Sequence, residues 1–228
     1  MTKTEVKKHI DELRTLLEHH RRLYHVLDKP EISDEVYDSL IRELDNLEKK
    51  YPEFDSPMSP TKRVGGDPLP HFEKVTHTVK QWSFDNVFSF EELQNWEDRN
   101  ITLLQKEGIT QKPTYIAELK IDGLKVILTY KDGVLVQAAT RGNGEVGEDI
   151  TQNIKTVKTI PLVLKKKYSM TVIGEAWMKK EDLERINKKR EQDDLPLYAN
   201  TRNLTAGTLR QLDSKIVAGR NIQIYAYD

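Results

Sequence analysis

Apolar residues recur at helical spacing along the first quarter of the chain. Val6, Ile10, Leu13 and Leu17 fall on one side of a helix predicted from residue 3 to about 27, and Thr2 and Glu5 have capping-box spacing. Pro30 interrupts that helix. Ser33 or Asp34 then caps a second one with Val36, Leu40, Leu44 and Leu47 on its stripe, so the opening reads as a helical hairpin. Residues 51 to 70, with Pro52, Pro57, Pro60, Pro68, Pro70 and Gly65-Gly66, have the composition of an irregular linker and mark the expected domain boundary.

Past the linker, strands with a period of two alternate with helices. Glu91 to Glu107 reads as a helix, and Tyr115 to Lys120 as a strand with Glu118 and Lys120 on one face and Leu119 with Ile121 on the other. Asp122 follows in phase with Lys120. Leu124 to Tyr130 and Val134 to Thr140 are further strands joined by Lys131-Asp132-Gly133, which makes an antiparallel meander. Thr171 to Met178 is a strand carrying Glu175, and Glu181 to Arg190 is a helix. Asn200 opens another helix ending near Leu212, with Gly207 marking close packing, and Ile222 to Tyr227 is the last strand. The class is α+β.

The chemistry gathers between 115 and 149. A lysine flanked on its own face by Glu118 and Asp122, just before a glycine that lets the chain turn, suits a nucleotide better than a buried core. Arg141-Gly142-Asn143-Gly144 adds two glycines that permit close backbone approach and a planar fork of donors for ribose or phosphate oxygens. Taken alone, a Lys-x-Asp-Gly tetrapeptide arises by chance in roughly one chain in twenty of this length, and Arg-Gly-x-Gly is commonly an ordinary loop. The weight lies in the combination, which runs on into Glu148-Asp149-Ile150-Thr151-Gln152-Asn153.

Composition narrows the classes. At 228 residues the chain fits one large domain or two small ones, and 37% hydrophobic content supports a packed core. Lysine and arginine number 36 against 37 acidic residues, so no general field draws the chain to DNA and any such contact is local. The absence of cysteine excludes a disulfide framework and thiolate zinc, and fits a cytoplasmic location. No apolar run is long enough to span a membrane, and no signal peptide is expected. His19 and His20, with His25 nearby, lie beside Arg21 and Arg22 and read as a solvated face, so no metal ligand set is expected from protein side chains.

Ala117-Glu118-Leu119-Lys120-Ile121-Asp122-Gly123-Leu124, Ala139-Thr140-Arg141-Gly142-Asn143-Gly144 and Gly147-Glu148-Asp149-Ile150-Thr151 together resemble the adenylation domain of bacterial NAD-dependent DNA ligases. The resemblance covers nearly the whole chain. It implies a hairpin cap at 1–65 joined to an antiparallel-sheet nucleotidyltransferase domain of ATP-grasp-like ligase type at 66–228, incomplete on its C-terminal side. Lys120 is then the nucleophile that attacks the α-phosphate of NAD, releases nicotinamide mononucleotide and keeps AMP. A lysine amine has a reference pKa near 10.4, so desolvation or cationic neighbours must free it of its proton, and Glu118 and Asp122 push the other way. Arg141, Mg²⁺ and further basic groups are expected to offset their charge.

The resemblance also distributes the remaining roles. Glu118 accepts from the adenine amino group, Asp122 lies near the ribose and the lysine, and Glu175 meets the AMP sugar, though by itself Glu175 reads equally as a strand-end charge. Ser83 and Phe84, within Trp82-Ser83-Phe84-Asp85-Asn86, contact the nucleotide, and Tyr227 stacks on adenine. Arg202 and Arg210 match positions facing DNA or phosphate, and either also reads as a surface arginine. Tyr24 and His25, with Asp34, Glu35, Val36, Tyr37 and Asp38 in Ser33 to Asp38, look like the family's cap over the nicotinamide mononucleotide half. Aromatic faces and carboxylates suit a cationic ring, although spacing alone favours a helix end with packed tyrosines. The hairpin is what ATP-dependent ligases and capping enzymes lack.

Three positions depart from the family pattern: Asn143 stands for an aspartate, Ile173 for an arginine and Thr201 for a proline. The family's adenylation domain is also expected to continue into strands bearing two phosphate-binding lysines, followed by modules that encircle nicked DNA. The expectation is therefore a chain that belongs to a DNA-ligating enzyme and does not seal nicks alone. The alternative is a non-catalytic nucleotide-binding fragment, or a half-enzyme that needs a partner chain.

Overall fold

The computed structural model describes residues 2–25, 29, 31–63 and 71–228; the side chains of Tyr24, His25 and Asp34 lie outside that description. The expectations placed on Tyr24, His25 and Asp34, and on the linker at 64–70, therefore fall outside the described residues. The chain divides into two compact units, Met1–Thr78 with Ile121–Asp228, and Val79–Lys120.

In the first unit, α1 (Lys3–His25) and α2 (Asp34–Lys50) form the hairpin. The predicted cap is present: the Thr2 backbone N–H donates to Glu5 at 2.7 Å and the Glu5 N–H to Thr2 Oγ1 at 3.3 Å. Val6, Ile10, Leu13 and Leu17 are buried against Leu44, with Tyr37, Leu40, Ile41 and Leu47 packed around them. Val36 is not on the stripe. Tyr37 and Ile41 face α1 instead, which rotates Val36 into solvent.

The hairpin is tied to the rest of its unit by buried polar groups. Glu48 accepts from Arg14 at 2.6 Å and from the Thr61 hydroxyl at 2.5 Å, fixing the turn Pro60–Lys62 to α2. Arg63 donates to the carbonyls of Lys155 and Ile160 at 3.1 and 3.2 Å, and Arg21 donates to that of Lys158. Burial pushes the Arg63 guanidinium down to about 10, with the Arg21 charge adding to it and Glu18 opposing.

Two antiparallel sheets follow. β1 (Lys74–Thr76) pairs with β4 (Val146–Glu148), while β2 (Leu124–Lys131), β3 (Val134–Thr140), β5 (Met170–Trp177) and β6 (Gln223–Ala226) make a sheet of order β3-β2-β5-β6. Asp132 and Gly133, both at positive φ, close the predicted hairpin between β2 and β3. One face of the sheet carries Val126, Leu128, Tyr130, Ala138 and Ala176 and is covered by α4 (Thr151–Thr156), α6 (Thr201–Leu209) and α7 (Ser214–Ala218). Asn153 is fully buried there, its amide donating to the carbonyls of Leu209 and Gln211 at 2.8 and 2.7 Å. The helix expected at 181–190 is α5 (Lys180–Gln192). Gly207 marks no close approach, since a Cβ there would meet Tyr198 at an ordinary 3.7 Å.

The second unit contains α3 (Phe90–Lys106), capped by Ser89, which accepts from the Glu92 N–H. No α3 residue is buried. The Trp96 and Tyr115 rings pack at 5.5 Å, and Ile116 and Leu119 are about nine-tenths exposed. Tyr115 to Lys120 does not form the expected strand. Alternation gives a segment two faces, but a strand also needs a ladder partner, and among the described residues 115–120 pairs with none. Among the described residues no helix is long and apolar enough to cross a membrane.

Candidate functional site

Two glycines bring backbone close together where the motifs predict it. A Cβ on Gly123 would stand 1.9 Å from the Ala176 carbonyl oxygen, so only glycine lets the turn after Asp122 press against β5. Gly142 has φ +55° and would clash with the Val146 carbonyl at 1.8 Å. These contacts fix the turn before β2 and the loop after β3 at the same end of the sheet.

The opposite face of that sheet carries Lys125, Glu175 and Tyr225 beside the buried Ile127 and Ala139. Register sets Lys125 opposite Glu175, and Glu175 opposite Tyr225. Arg141 follows Thr140, the partner of Val126, and so continues the Lys125 row on the other side. Tyr227 continues β6 on the same face, its N–H donating to the Ile173 carbonyl at 3.0 Å. Burial raises its phenol, and the Glu175 and Asp228 charges add to the effect. Ile173 is half-buried opposite Ile127. Sequence reading did not single out Lys125 or Tyr225; the signal available was a lone lysine inside an apolar strand.

The two arginines expected to face phosphate hold carboxylates. Arg202, on the first turn of α6, donates to Asp122 at 2.9 Å, and Arg210 donates to both Glu148 oxygens at 2.9 and 3.0 Å. Both pairs are largely in solvent, where an ion pair is worth about 0–1 kcal/mol. Asn143 acts through one oxygen, which accepts from the N–H groups of Glu145 and Val146 at 2.9 and 2.8 Å. An aspartate would accept the same two bonds. Thr201 occupies the first helical position after the Asn200 cap, where the N–H needs no intrahelical partner and proline or threonine serves equally.

On the hairpin, Glu35 and Asp38 are exposed and Tyr37 is half-buried. Burial raises the Tyr37 phenol against the lowering pull of Arg63 and Arg21. A hydrogen bond from Ser33 lowers the Glu35 carboxyl. In the second unit Ser83, Phe84, Glu118 and Lys120 are all exposed.

The sheet face fits part of a nucleotide: a carboxylate for ribose hydroxyls, cations for phosphate and aromatic rings for a base. Magnesium has weaker support. The convergent set of possible ligands among the described residues is His19, His20 and Glu31, within 4.8 Å of one another on the hairpin, and two imidazoles suit zinc better than magnesium.

The family model described as DNA ligase-like, N-terminal NAD+-binding domain matches residues 3–65, and that of the NAD-dependent DNA ligase adenylation domain matches 69–228. DNA ligases of Carboxydothermus hydrogenoformans and Brevibacillus brevis are 49% and 48% identical over 100% of this chain, which covers 34% and 33% of theirs. The DNA ligase of Thermosipho africanus is 47% identical over 100% of the chain and 34% of its own length. The chain thus spans about a third of the curated relatives it matches. With both models matched in tandem and Lys120-Ile121-Asp122-Gly123 inside the second, the chain belongs to the NAD-dependent DNA ligase family.

Proposed function

We propose that this chain performs the first step of NAD-dependent DNA ligation, the transfer of AMP from NAD to Lys120. The observation that carries the reading is the tandem match of the NAD+-binding and adenylation models across 3–65 and 69–228. The Lys120 amine, having lost a proton to solvent, forms a P–N bond to the α-phosphorus; the bond from that phosphorus to the bridging oxygen breaks, nicotinamide mononucleotide leaves with the electron pair, and the nitrogen's surplus proton passes to solvent. Glu118 accepts from the adenine amino group, Tyr227 stacks on the base, and Asp122, Arg141 and Glu175 hold the ribose. Ser83 and Phe84 line the nucleotide, while Tyr24, His25, Asp34, Glu35, Val36, Tyr37 and Asp38 take the nicotinamide half.

In the longer protein AMP would pass to the 5′-phosphate of a nick, and the 3′-hydroxyl would displace it. Arg202 and Arg210 would then exchange their carboxylates for phosphate. The cap spans 1–65 and the adenylation domain 66–228, and the cytoplasm is the compartment. Magnesium would enter with phosphate oxygens as its ligands.

Release of nicotinamide mononucleotide tests this reading. Mixing the chain with NAD is expected to liberate it in amounts approaching one per chain, with no pyrophosphate released from ATP. Pyrophosphate from ATP without reaction of NAD would overturn the assignment. The exposure of Lys120 favours a second reading, in which the chain binds NAD and reacts only with a partner chain present.

A further inference from the structure

The face of the sheet that carries Glu175 holds a cation to which the proposed reaction gives no role. Lys125 lies directly across from Glu175 on β2, with Arg141 next in the row on its other side. The neighbouring row, Ile127 and Ile173, brings no charge. Lys125 is half-buried on a strand whose other residues are Leu124, Val126, Ile127, Leu128, Thr129, Tyr130 and the exposed terminal Lys131. Burial first, and then the Arg141 charge, hold its ammonium below the ordinary lysine range, while Glu175 and Asp228 pull the other way. A lysine kept there between an arginine and a carboxylate has a purpose other than solubility.

We propose that Lys125 is a positioning residue of the nucleotide site, holding the Glu175 carboxylate in place for the ribose hydroxyls. Position 173 is two residues from Glu175 on the same strand and face, and position 125 is directly across from it. A cation at either place reaches the carboxylate. With isoleucine at 173, Lys125 supplies from β2 the charge that an arginine at 173 would supply from β5. This rests on the nucleotide reading of the site.

The test is calorimetric titration of NAD into the non-reacting Lys120→Ala chain and into the same chain carrying Lys125→Met, Lys125→Arg, or Lys125→Met with Ile173→Arg. Melting temperatures and circular dichroism confirm folding, with Lys125→Gln replacing the methionine variant if that aggregates. Lys125→Met is expected to weaken NAD on the order of tenfold, the effect of one charge-assisted contact. Lys125→Arg is expected to stay within about threefold of the parent, and Ile173→Arg to recover most of the loss. Rescue from position 173 is a response that a purely structural lysine would not give. Unchanged NAD affinity in folded Lys125→Met, or failure of both arginine variants to restore it, would overturn this inference alone. Absence of measurable NAD binding to the Lys120→Ala chain would overturn the proposed function itself.

Discussion

The sheet between 121 and 228 buries its apolar face, whereas the segment Val79–Lys120 leaves its own in water. Val126, Ile154, Leu204 and Leu209 are fully buried under α4, α6 and α7. Phe84, Phe88, Phe90, Ile116 and Leu119 stand at least 74% exposed, and α3 buries nothing. Both stretches carry clear apolar periodicity. Periodicity states which side chains want cover, and only a partner element supplies it. The proposed nucleophile belongs to the sparsely packed segment and its proposed ribose ligands to the dense one.

The largest effect is expected where the dense region has no room. Gly123→Ala drives a Cβ into the Ala176 carbonyl and is expected to destabilise the chain by more than about 3 kcal/mol in urea unfolding, with loss of lysine labelling. Ile154→Ala, which empties a fully buried site on α4, is expected to cost about 3 kcal/mol. Alkali provides the next. Burial pushes the Tyr130 phenol up to about 12, against lowering by Arg63 and Arg21, and its hydroxyl donates to the Pro161 carbonyl at 2.9 Å. Its unfolded counterpart titrates near 10, so this contribution is complete below pH 10 and is lost as pH rises through about 12. Tyr130→Phe is expected to flatten that part of the stability profile.

The sparse segment should respond far less. Trp96→Ala removes the ring against Tyr115 and is expected to shift global unfolding by less than about 1 kcal/mol, while raising amide exchange between 90 and 120. A loss comparable to that of Ile154→Ala would show that the two regions unfold as one. The smallest effect is Asn143→Asp, expected within about 0.5 kcal/mol because an aspartate oxygen accepts the same two N–H bonds. A large change there would show that the neutral amide matters.

Local chemistry made much of this fold readable. The Thr2–Glu5 box, the stripe from Val6 to Leu17 and the Asp132-Gly133 turn rest on neighbours within a few residues, and each formed. Val36 failed because the true stripe of α2 is set by which residues face α1, a tertiary fact. Tyr115 to Lys120 failed because alternation carries no information about ladder partners. At the candidate site, Gly123 was legible as a glycine that turns the chain, but its contact with Ala176 was not. The Arg202–Asp122 pair spans 80 residues and the Lys125–Glu175 register 50, beyond what spacing along a single chain reveals.

The central claim is that Lys120 takes AMP from NAD. It is tested most directly by the intact mass of the purified chain after incubation with NAD and Mg²⁺, beside the Lys120→Ala variant. The account predicts a gain of one AMP in the parent chain and none in the variant. An equal gain in Lys120→Ala, or a gain from ATP alone, would contradict it.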